Sequence, residues 1–197
     1  MIPKFILAGG NLMKMLRHAE CLSYLEFGKV AGSFVLHKDD IKRVPCTVSE
    51  VLTSNLLGMF EKNRMRHLMQ DISNYFSEKK TPMKLDPKEA TVDDFFKKYN
   101  LEDNTRNFIV HAMALDCNDD CLTKPAYETF AKVYLYAFSM SIYGESPFIY
   151  PMYGLGDVPQ AFSRLSAVWG GTYMLDKQIE EILYDEDGHV KGIKSGG

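Results

Sequence analysis

Residues 146–175 read Ser146-Pro147-Phe148-Ile149-Tyr150-Pro151-Met152-Tyr153-Gly154-Leu155-Gly156-Asp157-Val158-Pro159-Gln160 and continue AFSRLSAVWGGTYML to Leu175. Phe148 to Tyr150, aromatic and β-branched, predict a short strand. Pro159 suits the first turn of a helix that runs to Val168, where a missing amide donor costs nothing, and Gly170-Gly171 predicts its stop. Beyond it, Thr172 to Leu175, Ile179 to Tyr184 and Val190 to Lys194 predict strands, the last two joined by a hairpin turn at Asp187-Gly188. A strand, a helix and more strands in succession point to an α/β arrangement.

Upstream, the start of the chain has the same character. Leu12, Met13, Leu16 and Ala19 recur at helical spacing after Gly9-Gly10, and Leu22 to Phe27, Ser33 to Leu36 and Ile41 to Val44 predict short strands. This segment holds too little apolar periodicity to close a core, so it reads as the edge of a larger α/β domain.

Between these parts the pattern turns helical. Thr47 with Glu50 forms a capping-box signature ahead of Val48, Val51, Leu52 and Leu56. Met65, Leu68, Met69, Ile72 and Phe76 then line one helical face. Ser77 to Pro87 reads as a loop, and Thr91-Val92-Asp93-Asp94 caps a helix bearing Phe95, Phe96 and Tyr99. Phe108, Ile109, Ala112 and Met113 mark another, and Tyr127, Phe130, Tyr134, Ala137, Phe138 and Ser141 line a last one that stops near Gly144. The expected fold class is therefore α/β with an inserted all-α domain, divided at 1–46, 47–144 and 145–197.

Composition narrows the function. With 46% hydrophobic and 12% aromatic residues in 197, the chain can bury a core. A net charge of -3 without a like-charge block gives no nucleic-acid or polybasic membrane surface. Four unevenly spaced cysteines, Cys21, Cys46, Cys117 and Cys121, suit reduced thiols and a cytosolic setting. No apolar run approaches the roughly 20 residues of a membrane span, so membrane contact is expected to be peripheral. Cys117 and Cys121 lack a second Cys/His pair for zinc, and the five histidines form no HExxH, so neither a metal nor a cofactor is expected. Eleven methionines, among them Met59, Met65, Met69, Met113 and Met140, fit either ordinary core or an adaptable apolar pocket.

The 146–175 stretch resembles the YPxYGxGE(L)PQxFxRLxAxxGGxYxL signature of the Rab GDP dissociation inhibitor and Rab escort protein superfamily. The resemblance runs along the chain, through Ile2-Pro3-Lys4-Phe5, Ser54-Asn55-Leu56-Leu57-Gly58-Met59-Phe60-Glu61-Lys62 and His111-Ala112-Met113-Ala114-Leu115, the last two closer to the inhibitors. It implies a flavin-oxidoreductase-like α/β domain plus a helical bundle. It also implies a protein without catalysis that binds GDP-bound, prenylated Rab GTPases, slows GDP release and carries them between membranes and cytosol in vesicular transport.

By the resemblance, the Rab-binding platform maps to Asp157, Arg164, Thr172 and Met174, and a mobile loop beside it to Ser146, Pro147, Phe148 and Tyr150. Asp157 stands where the family usually has glutamate, and Ile142 where an arginine often precedes the loop. The helical insertion would hold the geranylgeranyl lipid, with candidate lining from Met59, Met65, Leu68, Met69, Met113, Phe130 and Tyr134. Each buried CH₂ of such a lipid contributes about 0.8 kcal/mol, so an apolar groove is required.

Read without the resemblance, Asp157 serves equally as a cap of the Pro159 helix, Arg164 as a solvated cation, Met174 and Trp169 as core. No GxGxxG fingerprint occurs near the start, where the family carries one, which leads us to expect a chain truncated at both ends. Two alternatives stand beside the inhibitor. One is a Rab escort protein, presenting Rab to the prenyltransferase. The other is a flavin-dependent oxidoreductase, suggested by Gly154-x-Gly156 before a helix and by Val190-x-Gly192.

Overall fold

A computed structural model describes residues 4–37, 40–44, 58–77, 81–144 and 146–196. The expected helix start at Thr47 and the apolar positions Val48 to Leu57 lie outside these residues, as does Cys46.

The chain opens with strand β1 (Ile6–Leu7) and helix α1 (Asn11–His18), which buries Met13 and Leu16. The predicted strand from Leu22 begins instead as a 3-10 turn, Cys21–Tyr24, and extends only at β2 (Phe27–Lys29). Strands β3 (Phe34–His37) and β4 (Asp40–Arg43) pair as an antiparallel hairpin.

The middle of the chain is helical: α2 (Met59–Phe76), α3 (Val92–Lys98), α4 (Asp103–Asn107) and α5 (Ala126–Tyr143). Helix α4 runs on as a wider π-type segment, Phe108–Met113. On α2 the buried positions Glu61, Met65, Leu68 and Ile72 fall four, three and four residues apart, the period of one helical face. Thr91 caps α3 as the sequence predicts, its hydroxyl accepting from the Asp94 amide while the Asp94 carboxylate accepts from the Thr91 amide. Phe95, Phe96, Ile109, Val110, Phe130 and Val133 close the core between these helices. Gly144, at φ 77, ends α5 in the left-handed region that only glycine adopts without strain.

Strand β5 (Phe148–Pro151) then inserts between β1 and β2, antiparallel to both, with Ile6 opposite Ile149 and Phe27 opposite Pro151. Helix α6 (Asp157–Val168) follows and packs Ala161 against Leu16, Cys21 and Ile149 in a second core. The two cores meet where the buried Gly9 amide donates to Ser139 Oγ at 3.0 Å. A Cβ on Gly9 would lie 2.6 Å from the Phe138 ring, so this approach needs glycine.

Strands β6 (Glu181–Tyr184) and β7 (Val190–Lys194) form the last hairpin, turned at Asp187-Gly188 with Gly188 at φ 82. The predicted strand Thr172 to Leu175 is not a strand: it has no ladder partner among the described residues, and an unpaired segment gains nothing from extending. Trp169 is not core either. It follows α6 at 84% exposure.

Candidate functional site

The signature stretch builds its site through one local device. Strand β5 ends at Pro151, Gly154 takes φ 105, and the chain turns directly into α6. Gly156 occupies the cap position and Asp157 is the first helical residue; its amide donates to the Gly154 carbonyl at 3.1 Å, and its carboxylate caps nothing. Asp157 therefore does not serve as the helix cap, although its charge is well placed at the positive end of the helix dipole.

Two turns further along α6, Arg164 is exposed. Asp157 and Arg164 line one cleft of about 290 Å³, together with Ser23, Tyr24, Leu25, Glu26, Tyr153, Gln160 and Ala161. Among the described residues the side chains of Asp157, Arg164 and Glu26 make no ion pair or hydrogen bond. Charges that share a cleft without satisfying one another are open to a partner.

Thr172 and Met174 sit apart from that cleft, on the exposed segment after α6, with Met174 at 70% exposure and so not core. Gly171 anchors the start of that segment. Its amide donates to the Ser166 carbonyl at 2.8 Å, and a Cβ there would come 2.1 Å from Ser166 Oγ.

The residues the resemblance assigns to a loop beside the platform lie at and just before β5, the strand that the sequence predicts over Phe148 to Tyr150. Phe148 and Tyr150 belong to β5, the central strand of its sheet, and Ser146 and Pro147 are buried. Pairing on both edges commits the backbone, and the Phe5 ring packs against both Phe148 and Tyr150.

The lipid candidates separate by burial. Met65, Leu68, Met113 and Phe130 are buried in the helical core, Met69 is half-buried, and Met59 is 85% exposed, so the six do not share one accessible surface. The accessible apolar seam of the helices lies elsewhere. Phe76 of α2 meets Tyr127 and Tyr134 of α5 at ring distances of 5.3 and 5.6 Å, and Tyr134 stacks on Phe138 at 6.3 Å. Sequence reasoning named Tyr134 but passed over Phe76, Tyr127 and Phe138 as lining; their i, i+7, i+11 spacing along α5 and across to α2 was the available signal.

Cys117 is exposed and Cys121 buried, with burial first and the nearby Asp116 charge second pushing the Cys121 thiol up. Among the described residues one trio, Asp185, Asp187 and His189, gathers its ligand-type atoms within 4.8 Å, but Asp185 Oδ1 already accepts from the Asp187 and His189 amides of the hairpin turn. No helix among the described residues is long and apolar enough to cross a membrane.

The junction of β5 and α6 thus places charges of both signs, unpaired among the described residues, along one cleft of a mixed helix and sheet protein. The chain belongs to the GDP dissociation inhibitor family, whose model matches residues 1–197. It is 45% identical to the Rab GDP-dissociation inhibitor of Saccharomyces cerevisiae over 197 residues, 99% of this chain and 44% of that protein. It is 46% identical to Rab GDP dissociation inhibitor beta of Canis lupus familiaris over 199 residues, 100% of this chain and 44% of that protein. Its fold is similar to the crystal structure of Rab GDI from Plasmodium falciparum, with a TM-score of 0.82 at 42% identity, over 98% of this chain and 46% of that one. The chain thus spans less than half the length of these relatives.

Proposed function

We propose that the chain binds GDP-bound, prenylated Rab GTPases, slows their GDP dissociation and withdraws them from membranes as a cytoplasmic, non-catalytic regulator of vesicular transport. The observation that carries this reading is the placement of Asp157 and Arg164 on one cleft with neither charge satisfied among the described residues. Arg164 supplies a forked donor for a carboxylate or carbonyl of the GTPase, and Asp157 accepts from its amide or cationic groups. Thr172 and Met174, exposed just past the helix, extend the contact surface. The relatives' names favour an inhibitor over a Rab escort protein or a flavin oxidoreductase.

In this reading residues 1–46 and 145–197 form the Rab-binding part, of flavin-oxidoreductase-like lineage, and 47–144 the all-helical, lipid-binding part. The geranylgeranyl chain lies along the seam of Phe76, Tyr127, Tyr134 and Phe138, of which Phe76 and Tyr134 pack against the helical core. Membrane contact is transient and peripheral.

The test is extraction. Membranes carrying GDP-loaded, geranylgeranylated Rab are incubated with the protein or its Arg164→Ala variant, and soluble Rab is measured. Rab released by the protein but not by the variant supports the reading; no release by either, with Rab binding also absent in solution, overturns it.

A further inference from the structure

The cleft has a wall that the signature motif does not supply. Ser23 to Glu26, just ahead of β2, line it together with Asp157 and Arg164 of α6. The sheet holds this wall in register: Phe27 pairs with Pro151, and the Met152 amide donates to the Glu26 carbonyl at 2.9 Å, which sets Glu26 beside Tyr153. Two carboxylates, Glu26 and Asp157, and one guanidinium, Arg164, line the cleft, so it carries a net charge of -1. Two phenol rings flank these charges. Tyr153 is 81% and Tyr24 38% exposed, and neither makes a hydrogen bond, ion pair or ring contact among the described residues.

We propose that Glu26, Tyr24 and Tyr153 form a subsite that accepts an arginine side chain of the bound GTPase. The inference rests on the Rab-binding reading above. A carboxylate matches the guanidinium fork, and an exposed aromatic face stacks on its plane, a combination that a lysine ammonium satisfies less well. Arg164, which lines the same cleft, repels a misplaced cation and favours its approach to Glu26. Tyrosine and arginine are also the residue types that concentrate binding energy at interfaces.

The experiment titrates a GDP-loaded Rab GTPase onto the wild-type chain and its E26Q, E26D, Y153L and R164A variants at low and moderate salt. Single Arg→Ala and Arg→Lys substitutions on the GTPase surface complete double-mutant cycles. E26Q is expected to weaken binding about tenfold and to flatten its salt dependence, with E26D retaining most affinity. One GTPase arginine is expected to couple with both Glu26 and Tyr153, its lysine variant restoring less than half of the coupling. Binding weakened by R164A but unchanged by E26Q and Y153L at both salts overturns the subsite and leaves the Rab-binding reading standing. Absence of wild-type binding overturns that reading and the subsite with it.

Discussion

Asp157 and Arg164 stand two turns apart on the same helix and open onto the same cleft, yet the two opposite charges do not pair. A helix places positions seven residues apart on one face but about 10 Å along its axis, beyond salt-bridge reach. The geometry thus keeps both groups available, and removal of either is expected to affect binding without affecting folding.

For Arg164→Ala, the expected result is a loss of about 10- to 100-fold in affinity for GDP-loaded Rab, the range for a charge-assisted hydrogen bond. The free energy of unfolding in urea is expected to stay within about 0.5 kcal/mol of wild type, because the side chain is exposed and, among the described residues, unpaired. Parallel titration and urea denaturation check both halves.

Gly171→Ala tests the end of α6. Its Cβ would meet Ser166 Oγ at 2.1 Å and the Ser166 carbonyl oxygen at 2.9 Å. A serine side chain can rotate away but a helix carbonyl cannot, so the variant is expected to lose about 1–3 kcal/mol, and Ser166→Ala to recover only part of it. Thermal melts of the single and double variants measure this.

Glu61 is a buried carboxylate on the apolar face of α2, where it accepts from Arg64 and, at 2.7 Å, from the Glu102 amide. Burial alone raises its pKa. The Glu102 amide and the Arg64 guanidinium outweigh burial and hold it below the usual 4.5. A carboxylate with a depressed folded pKa contributes stability above its unfolded value and loses it as pH falls through the folded one. Wild type is therefore expected to lose stability below about pH 4.5, and Glu61→Gln to be about 2 kcal/mol less stable at neutral pH with a flatter acid limb. Denaturant midpoints across the acid range read out the difference.

Thr91→Ala removes the hydroxyl half of the α3 capping box, leaving the Asp94 amide unpaired. A cost of about 1 kcal/mol is expected, with Thr91→Ser close to wild type, as measured by urea denaturation.

Local chemistry made much of this protein legible in its sequence. The Thr91 cap, the Pro159 helix, the Gly144 stop and the Asp187-Gly188 hairpin follow from backbone rules that act within a few residues, and the structure has each of them. The helical stripe of Met65, Leu68 and Ile72 was equally readable, because periodicity reports which face is buried.

What lay beyond the sequence was whatever depends on the neighbour across a gap. Periodicity reports that Leu68 and Phe130 are apolar but not that both are sealed, while the Phe76–Tyr134 seam stays accessible. It shows Phe148 and Tyr150 as β-prone but not as the centre of a sheet, since β1 and β2 come from more than a hundred residues away. Glu26 carries no sequence signal at all. Its place in the cleft of Asp157 follows from the register of β2 on β5, and strand register is settled by tertiary packing of the two buried faces and not by any local preference of the chain.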